Sequence, residues 1–193
     1  MNEHNENSEQ SENQDSENIE FSITFLDFWH LSSGLSGGAR LDSLVVRDEM
    51  GFCFVPAKTL KGVLSELAVE MECPAKFLQE CFGDATHAAK CHFSNATLGD
   101  ATKKELKNQH LLPLLYAKIA ATAIDEDTGS AKEGSLRQIE VAKPLTLGAK
   151  ILKVPQQHAL QMKILLKSLK RMGLNRNKGL GRLKIEILEG QNA

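Results

Sequence analysis

The chain has 193 residues with 23 Lys and Arg against 25 Asp and Glu, a net charge of −2. That length suits one domain, and 41% hydrophobic residues exclude a chain that is disordered throughout. No stretch approaches the roughly 18 apolar residues of a membrane span, and the N-terminus lacks the basic and apolar runs of a signal peptide, so neither is expected.

Residues 1–20 hold seven acids (Glu3, Glu6, Glu9, Glu12, Asp15, Glu17, Glu20) and no Lys or Arg. Asn, Ser and Gln fill most of the rest, so little apolar surface offsets the entropy of ordering. A disordered acidic tail is expected over residues 1–18, followed by one domain over 19–190. Without those seven acids the chain carries 23 basic and 18 acidic residues, a charge of +5. From Lys150 to Lys184 there are ten Lys and Arg and no acid. The total of −2 therefore does not argue against a nucleic-acid partner; the basic body has the charge of a polyanion-binding surface.

Glu20–Phe28 alternates Phe21, Ile23 and Phe25 on one face, which predicts a strand. His30–Arg40 is rich in Gly and Ser and reads as a loop. Ser43–Arg47 and Phe52–Val55 read as short extended pieces around a turn. After Pro56, Leu60, Val63, Leu64, Leu67 and Met71 follow the spacing of an amphipathic helix, with Thr59 as its N-cap. Pro74–Phe82 predicts a second helix stopped by Gly83. Lys90–Leu98 and Leu114–Ile124 read as strands. A polar turn follows at Asp125–Gly134, and Ser135–Val141 returns as a strand, so 124–141 predicts a hairpin arm. Leu145–Leu152 is a strand. A helix after Pro155 buries Met162, Leu165, Leu166, Leu169 and Met172. The glycine-containing loop Gly173–Gly181 precedes a last strand, Arg182–Leu188. Without the insertions the order is β, α, β, β, α, β, the ferredoxin-like arrangement. The expected class is α+β: a ferredoxin-like (RRM-like) sheet with two covering helices and an inserted β-hairpin.

Cys53, Cys73, Cys81 and Cys91 form no CxxC pair and stand in apolar contexts, so structural burial in a cytoplasmic protein is expected. The six histidines show no zinc spacing. Two segments suit phosphate binding. Thr59, Lys61 and Gly62 stand at a helix N-terminus, where backbone N–H groups and the dipole favour an anion, and Lys58 is beside them. In the loop Gly173–Gly181, glycines permit positive φ and successive N–H groups can cradle a phosphate.

Four segments, in order, carry a family resemblance. They are Leu41–Glu66 (LDSLVVRDEMGFCFVPAKTLKGVLSE), Phe82–Leu98 with HFSNATL, Ala123–Glu140 (AIDEDTGSAKEGSLRQIE), and Met172–Ile187 (MGLNRNKGLGRLKIEI). Together they resemble the RAMP superfamily of CRISPR-associated proteins, in particular the repeated backbone subunit of type III effector complexes. The chain departs from that pattern in having Pro56-Ala57-Lys58-Thr59 where Pro-Gly-Ser-Ser is usual. It also has Ser65 near a frequent Arg, and Asn95 for the Asp of "Ser-Asp-Ala".

The resemblance implies a cytoplasmic subunit that binds CRISPR guide RNA along its phosphate backbone through Lys58, Thr59, Lys61, Gly62, Arg176, Lys178, Gly179, Gly181 and Arg182. It implies partners: copies of itself in a filament, other effector subunits and complementary target RNA, with no membrane. Asp42 matches the acid of RNA-cleaving members, which implies target cleavage with Mg²⁺ or another divalent cation held transiently at Asp42. The hairpin matches the family's thumb, which kinks the duplex. Asp125, Asp127 and Thr128 would stand at its base or tip, and Leu136 or Ile139 would wedge against bases. Two alternatives remain open: a non-catalytic structural RAMP subunit, and a guide-processing endoribonuclease using His30. No RNP1-like string exists, so base stacking on the sheet is not expected.

Overall fold

The computed structural model describes residues 15–35, 42–122, 129–130 and 135–188. Its strands are β1 (Ser16–Phe25), β2 (His92–Phe93), β3 (Tyr116–Ala121), β4 (Arg137–Ala142), β5 (Thr146–Pro155) and β6 (Leu183–Leu188). The helices are α1 (Ala57–Glu70), α2 (Ala75–Phe82), α3 (Asp100–Asn108) and α4 (Gln156–Ser168), with 3-10 turns at Leu112–Leu115 and Arg176–Lys178. A four-stranded antiparallel sheet runs β2-β5-β1-β6, and β3 and β4 form a separate two-stranded sheet. The path β1, α1, β2, β5, α4, β6 is the expected ferredoxin-like fold.

Period-two alternation decides the faces. Ile19, Phe21, Ile23 and Phe25 are buried on one face of β1, with Leu147 and Ile151 beside them on β5 and Leu183 and Ile185 on β6. Helix α1 covers this face with Leu60, Leu64 and Ala68, and α4 covers it with Ala159, Met162, Leu165 and Leu166. The other face is open. It carries Glu20, Ser22, Thr24, Thr146, Gly148, Lys184 and Glu186, with the exposed His92 on β2 and no Phe, Tyr or Trp. The sheet therefore lacks the Phe and Tyr platform on which RRM proteins stack bases.

Several boundaries differ from the sequence reading. Strand β1 begins at Ser16, inside the expected tail: a register shift between Glu17 and Ile19, with Lys153 at φ 58°, lets Ser16 and Glu17 continue the pairing. Lys163 on α4 holds Glu17 in an ion pair, and the Asp15 carbonyl accepts from Gln156 N. Of the tail, residues 1–14 lie outside the described residues. Thr59 is not the N-cap of α1. Pro56 occupies that position, and Thr59 lies in the first turn. The helix starts three residues earlier than the Thr signal. The strand expected over Lys90–Leu98 contracts to His92–Phe93 plus single bridges at Ala96 and Thr97. Helix α3 was not expected: DATKKELKN buries no residue fully and has no apolar stripe. Lys103 docks it on Asp48 at 3.4 Å. The cysteines are free, and Cys53, Cys81 and Cys91 are buried as expected; burial pushes the Cys53 thiol up to about 11. Among the described residues no helix is long and apolar enough to cross a membrane.

Glu80 joins α2 to α4. It accepts from Lys90 Nζ at 2.9 Å, His158 Nε2 at 2.8 Å and Gln157 Nε2 at 2.9 Å. The Lys90 bond, assisted by His158 and Gln157, holds the Glu80 carboxyl down at about 2. A depressed folded-state value adds stability above the unfolded value, and that stability fades as pH falls toward the folded one. Glu80→Gln should lower the melting temperature at pH 7 by about 3–8 °C. The gap from wild type should shrink as pH drops from 5 to 3, as thermal unfolding at several pH values will show.

Candidate nucleic-acid interface

The start of α1 is fixed from two sides. Pro56 sets the N-cap at φ −60°, and Asn95 Oδ1 accepts the Ala57 N–H at 2.8 Å. A bridge between Val55 and Ala96 holds the two segments together. Asn95 therefore caps the helix from the segment that follows β2. Being neutral, it leaves the positive end of the dipole uncompensated, and the first turn contains no acid. Lys58 is exposed, Thr59 and Lys61 are half-buried, and Gly62 faces outward. A Cβ on Gly62 would meet nothing within 4 Å, so the chain's own packing does not require glycine there. The open surface beside it admits a close approach from outside.

The loop after α4 is bolted to the segment following β1. Leu174 N donates to His30 O at 2.9 Å and Gly181 N donates to Phe28 O at 2.8 Å. Gly173 has φ +98°, and a Cβ there would lie 2.4 Å from His30 O; Gly181 has φ +69°, and its Cβ would lie 2.0 Å from Met172 O. Both glycines are demanded by contact. Gly179, at φ +87°, has open space around it. The N–H groups of Leu174, Lys178, Leu180 and Gly181 are engaged within the protein, so the tip Arg176–Gly179 offers mainly its exposed side chains. Arg171 donates to Arg176 O at 2.8 Å and braces the tip. Arg182 is exposed but paired with Asp27 at 3.1 Å, which reduces its charge toward a phosphate.

Asp42 is exposed and pinned to the hairpin. Its N–H donates to Gln138 O at 2.8 Å, and Gln138 N donates to Asp42 Oδ2 at 2.7 Å. Ser43 then bridges Ile139 in parallel. Behind this ladder Glu140 is nearly buried: Oε2 accepts from Val45 N at 3.1 Å, and Oε1 accepts from Arg47 at 2.6 Å. The Arg47 guanidinium lies 3.7 Å over the Tyr116 ring. Burial pushes the Tyr116 hydroxyl well above its ordinary value; that hydroxyl donates to Gly51 O at 2.6 Å. In the hairpin Ile139 stands opposite Ile119, half-buried, whereas Leu136 is 63% exposed. Of the two, Leu136 has the surface to meet a base. Asp125, Asp127 and Thr128 lie outside the described residues.

Strand register brings these pieces to one end of the sheet. Phe25 pairs with Leu183 and Thr24 with Thr146, while Thr97 bridges Gly148. The C-terminal end of β1, the return of the glycine-containing loop into β6, the base of the hairpin and the start of α1 thus share that end. Lys58 and Lys61 lie on the α1 start, and Arg176 and Lys178 on the loop tip. Sequence reasoning missed Asn95 as the helix cap, the burial of His30 and Glu140, and the pairing of Glu140 with the exposed Arg47. His30 is 0% exposed with both ring nitrogens engaged, so it does not face a substrate as a guide-processing base would.

A model of the RAMP superfamily matches residues 22–184. The chain belongs to the RAMP superfamily. Among solved structures, a chain of the type III-B Cmr-beta complex bound to cognate target RNA matches with a TM-score of 0.72 and 14% identity. That match covers 90% of this chain and 98% of the other. A chain of the Cmr-beta complex in its apo state matches with a TM-score of 0.69 and 15% identity, over 89% and 97%. No curated protein matches this chain. At such identity the likeness establishes the RAMP fold.

The two kinds of loop glycine make a test. Gly173→Ala adds a clash with His30 O to a strained φ, so it should lower stability by more than the roughly 1–2 kcal/mol of left-handed strain alone. Gly179→Ala should lose only that strain term. Denaturant unfolding of both variants compares them directly.

Proposed function

We propose that this RAMP protein is a subunit of a type III CRISPR effector that holds guide RNA by its phosphate backbone and cleaves paired target RNA at Asp42. Its partners are the guide RNA, the complementary target, neighbouring copies of the chain and other effector subunits, in the cytoplasm. One observation carries the reading. The elements that carry Lys58 and Lys61 (the α1 start) and Arg176 and Lys178 (the glycine-containing loop) share, with the hairpin base, one end of a sheet whose open face has no Phe, Tyr or Trp. Such a surface attracts phosphates without reading bases, as a guide of variable sequence requires.

Among the described residues no three His, Cys, Asp or Glu side chains come together as a metal site. Asp42 alone fits Mg²⁺ as one carboxylate ligand, with RNA phosphates and water as the remainder. Bound there, the ion would supply positive charge to the scissile phosphate. In the cleavage step the 2′-oxygen of the target forms a bond to the adjacent phosphorus and the bond to the 5′-oxygen breaks. The products are a 2′,3′-cyclic phosphate and a 5′-hydroxyl. Asp42 takes the 2′-hydroxyl proton or holds the ion, and water protonates the leaving oxygen. The hairpin fixes Asp42 through Gln138, with Leu136 outward to open the local base pair.

A second reading, a RAMP subunit that binds RNA without cutting, draws on the same Gln138 bond: that contact gives Asp42 a structural task. Asparagine separates the two, because its side-chain oxygen still accepts the Gln138 N–H while the charge is gone. In the assembled effector, Asp42→Asn should slow target cleavage by about 10²–10⁴-fold with guide binding intact. Cleavage at the wild-type rate would overturn the assignment of cleavage to Asp42.

A further inference from the structure

His30 lies in a Gly- and Ser-rich stretch, yet its side chain is 0% exposed. Its Nδ1 is 2.6 Å from the Glu140 carbonyl. A carbonyl only accepts, so Nδ1 carries a proton. Its Nε2 is 3.0 Å from Ser43 Oγ, which is 3.2 Å from Ser32 Oγ, which accepts from Gly34 N at 3.1 Å. One direction satisfies every group: Gly34 N–H to Ser32, Ser32 hydroxyl to Ser43, Ser43 hydroxyl to bare Nε2. The imidazole is thus held between the two segments, with Nδ1–H on the Glu140 carbonyl and Nε2 on Ser43 Oγ.

The same residue seats the glycine-containing loop from its main chain. His30 O accepts from Leu174 N at 2.9 Å, and Gly173 packs so close that a Cβ would lie 2.4 Å from that oxygen. Around the ring, Ser43 O accepts from Glu140 N at 3.0 Å, one step beyond the Asp42–Gln138 pair. His30 therefore touches all three pieces: β4 through Nδ1, the Asp42 segment through Nε2, and the glycine-containing loop through its carbonyl.

We propose that His30 is a positioning residue that fixes Asp42 relative to the hairpin and couples that placement to the glycine-containing loop. It acts through Ser43 and touches no RNA. For its cleavage readout the proposal rests on the Asp42 reading above; hydrogen exchange provides a readout independent of cleavage.

The test uses the full chain, alone for hydrogen exchange and in the guide-loaded effector for single-turnover cleavage. Ser43→Ala removes the hydroxyl on Nε2 with little change of volume. His30→Asn keeps an amide donor where Nδ1 stands and loses the Nε2 acceptor. Both should leave guide binding unchanged, speed exchange in residues 42–46 about tenfold and slow cleavage about 10²-fold, the scale of a misplacement near 1 Å. His30→Ala should also speed exchange in 137–142 and 173–181. Wild-type exchange in 42–46 for both Ser43→Ala and His30→Asn would overturn the proposal. So would wild-type cleavage by those two variants when Asp42→Asn is dead. If Asp42→Asn cuts normally, the cleavage reading fails, and faster exchange at 42–46 still supports His30 while unchanged exchange refutes it.

Discussion

Strand β1 is hydrogen-bonded on both sides, to β5 and β6, and its register decides which loops meet. With Phe25 against Leu183 and Thr24 against Thr146, the chain leaving β1 must run beside the loop entering β6 and the connection entering β5. A slip of one residue would turn Phe21, Ile23 and Phe25 out of the core, so burial holds the register. Everything proposed for RNA depends on that. The segment 28–30 supplies the carbonyls that anchor the glycine-containing loop, and it continues into the stretch ending at Asp42. In a RAMP protein the central strand is thus both the middle of the core and the support of the interface.

Charge follows the same geometry. Many acids of the body are committed to internal pairs: Glu140 with Arg47, Glu80 with Lys90, Asp48 with Lys103, Asp27 with Arg182. Arg47 and Glu140 are held in place by a cation–π contact and a backbone N–H, so that pair organises the hairpin base. Lys58, Lys61, Arg176 and Lys178 stand around a helix start and a loop tip. The net charge of −2 hides this division, because it averages an acidic N-terminal stretch over a basic body.

Much of the fold was legible because periodicity is local. The apolar stripe of α1, the Pro74–Gly83 frame of α2 and the alternation of β1 and β6 each show within a dozen residues. Helix α3 was not legible, since its polar sequence gives no stripe and its anchor, Asp48, is 55 residues from Lys103. The earlier start of β1 depends on a register shift opposite Lys153, which only the partner strand reveals. At the site, the phosphate-binding segments were visible as types: glycine with basic residues, Lys-Gly at a helix start. Their connections were not. Asn95 caps a helix 38 residues away, Asp42 meets Gln138 across 96 residues and His30 meets Glu140 across 110. A Gly- and Ser-rich string reads as an exposed loop, and only packing shows that its histidine is buried.

The central claim is that one end of this sheet reads RNA by its phosphates and not by its bases. The most direct measurement is the salt dependence of RNA affinity for two guides of unrelated spacer sequence, with wild-type chain and with Lys61→Ala. The account predicts equal affinities for the two guides. It also predicts a linear fall of log K with log salt, and a slope smaller by about 0.7 in the variant, the loss of one phosphate contact on a single strand. Affinity that follows spacer sequence, or a slope unmoved by the substitution, would contradict it.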